Sequence, residues 1–333
     1  MKAILMTEAG GVDVLQLRDI PTPHIKSPTE ILVELKAAGV NPIDTKIRKR
    51  GSFYPEFSSP VLGCDGAGIV VEVGDGVTRF RKGDEVYFCV GGLGKPETGN
   101  YAQYTVVEED YVAKKPQSLS FAEAACAPLV LITAWEAICD RISLSANDKI
   151  LIHGGAGGVG HVAIQLAKLR GVEVATTVGN LDKERLVRKL GADYPILYKQ
   201  QDFISAIMDW TKGKGVDAAF DTVGGKTFFD TCQVVRVYGD IVTILEPDCH
   251  SSSLKTARNR NLRISLELML TPALMNLQEG LKHQRKILEQ CAVWFDEGKL
   301  TIHLEHTFPL ESASVAHQMI ESGSTTGKIA LII

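Results

Sequence analysis

The chain has 333 residues, with 36 Lys and Arg against 40 Asp and Glu, a formal net charge of -4 and 45% hydrophobic residues. That length makes two domains the expectation, and no apolar run reaches the roughly 18 residues of a membrane-spanning helix. The mild acidity argues against a nucleic-acid partner, which needs a basic surface to neutralise phosphates.

The first six residues lack the long apolar stretch of a secretory leader and read as a strand. The seven cysteines, Cys64, Cys89, Cys126, Cys139, Cys232, Cys249 and Cys291, are odd in number and widely spaced, with no Cys-x-x-Cys. They are expected as reduced thiols of a cytoplasmic protein, mostly buried. Residues 1–125 read as short strands and turns. A strand over 31–37 ends near Gly39, the glycine- and valine-rich stretch 63–73 suits a bent sheet, and Gly74-Asp75-Gly76 and Lys82-Gly83-Asp84 are turns. This pattern predicts a β-barrel-like unit.

The texture changes near residue 120. Ser120 and Glu123 have capping-box spacing and open an Ala-rich helical stretch in which Cys126 and Cys139 read as packing residues. From Asp148 onward strands and helices alternate. Strands are predicted over 148–153, 172–178, 216–221 and 241–244, and helices over 161–169, 182–190 and 203–211. Such alternation makes a parallel sheet with helices on both faces. Beyond about residue 267 the pattern loosens, with a helix over 313–320 and a last apolar strand over 328–333 that joins an existing sheet.

Gly155-Ala156-Gly157-Gly158-Val159-Gly160 fits G-x-G-x-x-G between a predicted strand and a predicted helix, the context that gives the motif meaning. Its glycines permit a tight turn and close approach to a pyrophosphate, and the helix start offers N–H groups to the phosphates. The next strand ends at Gly179-Asn180 without the carboxylate that NAD would require. Lys183 follows one turn later and can meet a 2′-phosphate, so NADPH is expected ahead of NADH. Asp182 points the other way, but reads more simply as a first-turn helix residue.

These features converge with further segments: Gly39-Val40-Asn41-Pro42-Ile43-Asp44, 60–70, Gly83-Asp84-Glu85-Val86, Pro128-Leu129 with Thr133-Ala134, 153–168, Leu190-Gly191-Ala192-Asp193, Phe220-Asp221-Thr222-Val223-Gly224 and Gly327-Lys328-Ile329. Together they resemble the medium-chain dehydrogenase/reductase superfamily, and within it the zinc-free quinone oxidoreductase, or zeta-crystallin-like, branch. The resemblance implies an α/β architecture: a GroES-like β-rich catalytic domain over 1–125 that returns over 267–333, a Rossmann doubly wound parallel-sheet NADPH-binding domain over 126–266, and an active site in the cleft. It also implies a homodimer or homotetramer, with 241–245 as the sheet edge that pairs across subunits.

Zinc-dependent relatives use three protein ligands and one open position. Asn41 stands where they have the first cysteine, Gly63-Cys64-Asp65 replaces Gly-His-Glu, and Pro128-Leu129-Val130 offers no third ligand. The segment 90–96 carries no cysteine for a structural zinc lobe. No metal is therefore expected, Cys64 reads as a buried structural cysteine, and His153 as a packed or loop-bonding histidine. Without a metal to polarise a carbonyl, an acceptor that delocalises charge itself is favoured.

The resemblance also supplies roles. Asn41 would lie beside nicotinamide and substrate and donate an amide hydrogen bond to the acceptor oxygen; the plainer reading is a turn residue before Pro42. Asp44 would orient Lys46 or a ribose hydroxyl, or simply cap a loop. Lys46 stands where many quinone-reducing relatives carry tyrosine and can bind an oxyanion directly. Tyr54 would donate a proton or hydrogen bond, although the longer spacing after Arg48-Lys49-Arg50 leaves a packed tyrosine equally open. The cluster Lys46, Arg48, Lys49 and Arg50 is a solvated face or a mouth for an anionic substrate. Thr133, Gly179, Tyr198, Val223 and Lys328 carry over as cofactor contacts, and Leu245 replaces a glycine and would reshape the nicotinamide pocket. The expected function is NADPH-dependent, zinc-independent reduction of quinones or other conjugated carbonyls. The alternatives are an alkenal, enone or enoyl-thioester double-bond reductase, or a non-catalytic NADPH-binding protein. The only partner expected is a small-molecule acceptor, with no membrane.

Overall fold

The computed structural model describes residues 1–54, 60–94, 99–250 and 252–333. They form two compact units, Met1–Leu129 with Leu270–Ile333, and Val130–Met269. The first division falls later than 125 because the chain after the helix Phe121–Ala125 is still bonded to the first unit, and the second follows Met269. Cys126 Sγ donates to Ile329 O at 3.3 Å, and Leu129 N–H donates to Asp65 Oδ1 at 2.9 Å.

The first unit is built on a seven-stranded sheet in the order Leu304–Pro309, Lys328–Ile332, Glu30–Val40, Asp65–Val73, Glu85–Cys89, Ala113–Lys114, with Tyr104–Glu108 also paired to Glu30–Val40. Register shifts along Glu30–Val40 against Asp65–Val73 bend the sheet. The bend folds Ile31, Val33, Leu35, Val70, Val86 and Phe88 into one core, each such side chain contributing roughly 1.5–3 kcal/mol by burial. The last strand adds to this sheet as expected, pairing Ile329 with Val40. That register brings Lys328 to the end of the strand that leads into Asn41.

Two helices of this unit differ from the sequence expectation. Pro42–Arg50 is a helix, not a loop: Pro42 sits in its first turn, where a missing N–H costs nothing, and Asp44 accepts the Asn41 N–H at 2.8 Å. Gln278–Asp296 is a 19-residue helix in the stretch whose pattern loosens. Its inward face carries Gln284 among Ile287, Leu288, Cys291 and Phe295, and no side chain caps its start. Both features blunt the apolar period and the start signal.

The second unit is a six-stranded parallel sheet in the order Tyr194–Leu197, Glu173–Val178, Lys149–Ile152, Val216–Asp221, Val235–Thr243, Arg263–Leu266. This is the doubly wound order, with its switch point between Lys149–Ile152 and Val216–Asp221. Segment 241–245 is not the sheet edge. Val235–Thr243 is flanked on both sides, and the edge is Arg263–Leu266, a strand hidden in the sequence because Arg263 and Ser265 interrupt its apolar run. Among the described residues no helix is long and apolar enough to cross a membrane, and none of the seven cysteines is in a disulfide.

Candidate active site

In the second unit the glycine motif runs from the end of Lys149–Ile152 into the helix Gly158–Leu169. The helix begins earlier than the predicted residue 161, so Gly158, Val159 and Gly160 form its first turn. Its N-cap, Gly157, has no side chain to satisfy the first-turn N–H groups. By contrast, Asn180 caps the next helix, Leu181–Lys189, by accepting the Lys183 N–H at 2.9 Å. A Cβ at Gly155 would lie 2.0 Å from Thr176 Oγ1, and one at Gly160 2.3 Å from Gly154 O. The chain is thus drawn in too tightly for a side chain at Gly155 or Gly160, and no side chain caps the helix start. This cradle fits a dinucleotide pyrophosphate.

The other expected cofactor contacts of this unit lie mostly at the carboxyl ends of the strands. Gly179 and the exposed Tyr198 are neighbours: a Cβ on Gly179 would come within 3.4 Å of the phenol oxygen. Lys183 is half-buried in the first turn of its helix, and Asp182 is exposed and paired with Arg185 at 3.1 Å. Val223 is exposed, its N–H held by Asp221 Oδ1 at 3.0 Å, while Thr243 Oγ1 donates to Asp221 Oδ2 at 2.9 Å. Leu245 packs against Gly224, where a Cβ would meet Leu245 Cδ1 at 2.7 Å. Thr133 is buried in the helix Pro128–Trp135.

In the first unit, Asn41, Asp44, Cys64, Asp65, Tyr101, His317 and Lys328 form one buried polar network. Asn41 Nδ2 donates to Asp65 Oδ2 at 2.8 Å, and Lys328 Nζ donates to Asn41 Oδ1 and, at 3.2 Å, to Val40 O. The same ammonium faces Asp65 Oδ2 at 4.0 Å. Tyr101 OH donates to Asp44 Oδ2 at 3.0 Å and accepts from His317 Nε2 at 3.3 Å. The Cys64 thiol points at Asp44 Oδ1 at 3.8 Å.

Burial dominates the acid–base balance here. It lifts Asp44 to about 7, against the hydrogen bonds from Asn41 and Tyr101, and lifts Asp65 against the Lys328 charge. The Cys64 thiol is pushed well above its ordinary value by burial and by the two neighbouring carboxylates. Burial, helped by the Arg48 charge, lowers His317 to about 3, so its ring is neutral.

Several expectations change. Asn41 is wholly buried as the residue that opens the helix Pro42–Arg50, its amide oxygen accepting from Lys328 and one amide hydrogen donated to Asp65. Asp44 is bonded to Asn41 and Tyr101 and does not orient Lys46, which is exposed on the outer side of the helix. Lys328 is buried on Asn41 and Val40. Arg48 leaves the expected basic face altogether: it is buried and paired with Glu321, which also holds Lys49 at 3.4 Å. Tyr54 is half-buried at the edge of the described residues, its N–H donated to Ser52 Oγ at 2.8 Å.

Known proteins place this chain firmly. Residues 27–117 match the alcohol dehydrogenase GroES-like domain, and 190–331 match a family described as zinc-binding dehydrogenase. Quinone oxidoreductase 1 of Escherichia coli strain K12 is similar along almost the whole length, 31% identical over 329 residues and 97% of each chain. The solved structure of Escherichia coli quinone oxidoreductase complexed with NADPH superposes with a TM-score of 0.87, at 29% identity and 100% of both chains. The chain belongs to the quinone oxidoreductase branch of the medium-chain dehydrogenase/reductase family. It is an oxidoreductase of the NADPH type. A 2-methylene-furan-3-one reductase of Solanum lycopersicum is 42% identical over 251 residues, 73% of this chain but only 62% of that longer protein.

The zinc implied by the second family description does not fit the side chains found here. Zinc takes thiolate, imidazole or carboxylate ligands. The Cys64 thiol is turned to Asp44 Oδ1 at 3.8 Å, Asp65 is committed to Asn41 and the Leu129 N–H, and the Asn41 oxygen faces an ammonium. Among the described residues no three His, Cys, Asp or Glu side chains are grouped to hold a metal. In this branch member Tyr101, His317 and Asp221 are the residues that sequence reasoning missed. Tyr101 and His317 stand 216 positions apart, and no local pattern joins them. Asp221 ends a predicted strand, which was the available signal.

Proposed function

We propose that the protein is an NADPH-dependent, zinc-independent reductase of quinones and other conjugated carbonyl acceptors. The reading is carried by one observation: Asn41, at the position the resemblance gives to the first cysteine ligand of zinc-dependent relatives, is held between the Asp65 carboxylate and the Lys328 ammonium. No Lewis acid is built to polarise a simple ketone, so the acceptor must spread the incoming charge over its own π-system.

When bound, NADPH supplies the hydride. The chain contributes position and electrostatics. Gly155, Gly157, Gly158, Val159 and Gly160 hold the pyrophosphate at the uncapped helix start, Lys183 meets the 2′-phosphate, and Gly179, Tyr198, Val223 and Thr133 line the rest of the nucleotide. In the first unit, Asn41 and Asp44 fix the start of Pro42–Arg50 from inside. The exposed Lys46 and the half-buried Tyr54 are the polar side chains assigned to the reduced oxygen and its proton. A cytoplasmic location agrees with seven cysteines outside any disulfide. A homodimer or homotetramer agrees with the edge strand Arg263–Leu266, whose Leu266 is exposed.

A second reading, reduction of the carbon–carbon double bond of a linear enone in place of quinone reduction, is favoured by the 42% identity to the tomato reductase. A matched set of an ortho-quinone, a linear enone and the corresponding saturated ketone separates them. Quinone turnover to quinol with an inert saturated ketone supports the proposal. Enone turnover alone moves the assignment to alkene reduction, and turnover of the saturated ketone overturns both.

A further inference from the structure

His153 follows the strand Lys149–Ile152 and immediately precedes the glycine loop, and it is buried. Its two ring nitrogens lie between two threonine hydroxyls, at 3.2 Å from Nδ1 to Thr177 Oγ1 and 2.8 Å from Nε2 to Thr231 Oγ1. The partners fix which nitrogen carries the proton. The Thr231 hydroxyl donates its single hydrogen to Thr227 O at 2.6 Å, so it accepts from His153 Nε2–H. Burial lowers His153 to about 4, against the pull of Asp221, so the ring is neutral and Nδ1 is an acceptor. The Thr177 hydroxyl therefore points its hydrogen at Nδ1. Its lone pairs turn toward the loop, where it accepts the Gly154 N–H at 3.1 Å. Phe203 packs edge-on against the imidazole, with centroids 5.0 Å apart at 85°, and fixes the ring plane.

The loop needs this anchor. Gly154 has φ +64, and its carbonyl accepts the Gly157 N–H at 2.9 Å beneath the first turn of Gly158–Leu169. Thr177 also accepts the next N–H, that of Gly155, at 3.2 Å through its backbone oxygen. One residue of the neighbouring strand thus holds two consecutive amides of the loop, and the direction of its hydroxyl is set by His153.

We infer that His153 is a positioning residue for nucleotide binding: through Thr177 it orients the entry of the glycine loop, and so aims the uncapped helix start at the pyrophosphate. It touches neither nucleotide nor acceptor. The inference rests on the glycine loop being the nucleotide site, which wild-type NADPH titration checks separately.

The experiment is NADPH titration by fluorescence, with steady-state turnover in parallel, on His153→Phe, Thr177→Val, Thr177→Ser and the His153→Phe/Thr177→Val double variant. Because the two side chains act in series, each of His153→Phe and Thr177→Val is expected to weaken NADPH binding by about five- to twentyfold. The turnover number at saturation should stay within about twofold. The double variant should be no worse than the poorer single one, as expected of directly coupled residues. Thr177→Ser keeps the hydroxyl and should bind as wild type. Additive losses in the double variant, unchanged affinity in both single variants, or a loss confined to turnover would overturn the inference. Nitrogen-15 NMR of the folded protein gives an answer that needs no variant. The Nε2–H tautomer is expected, and an Nδ1–H signature would contradict the direction of the chain.

Discussion

The Lys328 ammonium donates to the amide oxygen of Asn41, while the amide nitrogen of the same side chain donates to Asp65 at 2.8 Å. An ammonium only donates and a carboxylate only accepts, so the amide has one permitted orientation. Lys328 is then an internal counter-charge to Asp65, 4.0 Å away. Lys328→Met is expected to lower the turnover number by about tenfold or more, because a buried carboxylate loses its cation, and to leave the NADPH dissociation constant nearly unchanged. Stopped-flow turnover and equilibrium titration on one preparation check this. A large loss of NADPH affinity with normal turnover would return Lys328 to the cofactor site.

Asp44 predicts a pH dependence of known sign. Its carboxyl titrates at about 7 in the folded protein against 3.8 for the ordinary group. Between those values the native state keeps a proton that the unfolded chain has released. Stability therefore falls as pH rises through that window and is flat above it. Denaturant unfolding at about pH 5 and about pH 8 should show this decline in the wild type and a shallower one in Asp44→Asn. A wild type with equal contributions at both ends would remove the assignment.

The glycine loop predicts a steric effect. A Cβ on Gly160 would stand 2.3 Å from the Gly154 carbonyl oxygen, a backbone atom that cannot turn aside. Gly160→Ala should separate the loop from its helix and weaken NADPH binding by at least about tenfold, or 1.4 kcal/mol. Circular dichroism should stay close to wild type, since only the helix start is displaced. Unaltered nucleotide affinity would place the cofactor elsewhere.

The proposed function assigns cofactor choice to Lys183, in the first turn of the helix capped by Asn180. Lys183→Ala should raise the Michaelis constant for NADPH and leave that for NADH nearly unchanged, because only NADPH carries the 2′-phosphate. Equal losses for both nucleotides would sink the assignment.

The parts of the fold that repeat a local rule were legible in the sequence. Strand–helix alternation over 148–244 and the glycine loop both follow from spacing, and they gave the second unit and its nucleotide end. The final strand was legible as an apolar run needing a sheet. What escaped depends on distant partners. Arg48 sits in a run of basic residues that looks solvated, yet it is buried because Glu321, 273 positions away, meets it. Asp44 looks like a loop cap, since nothing nearby announces that Tyr101 will bond it. Asn41 was singled out by its position, but its engagement with Lys328 depends on the last strand returning beside Val40. The edge strand Arg263–Leu266 was lost because half of it is polar.

The most direct test is NADPH oxidation with an ortho-quinone by protein treated with a strong chelator and shown to be free of zinc. The account predicts unchanged turnover after chelation and no gain when zinc is restored. Activity that disappears with the chelator and returns with stoichiometric zinc would contradict it.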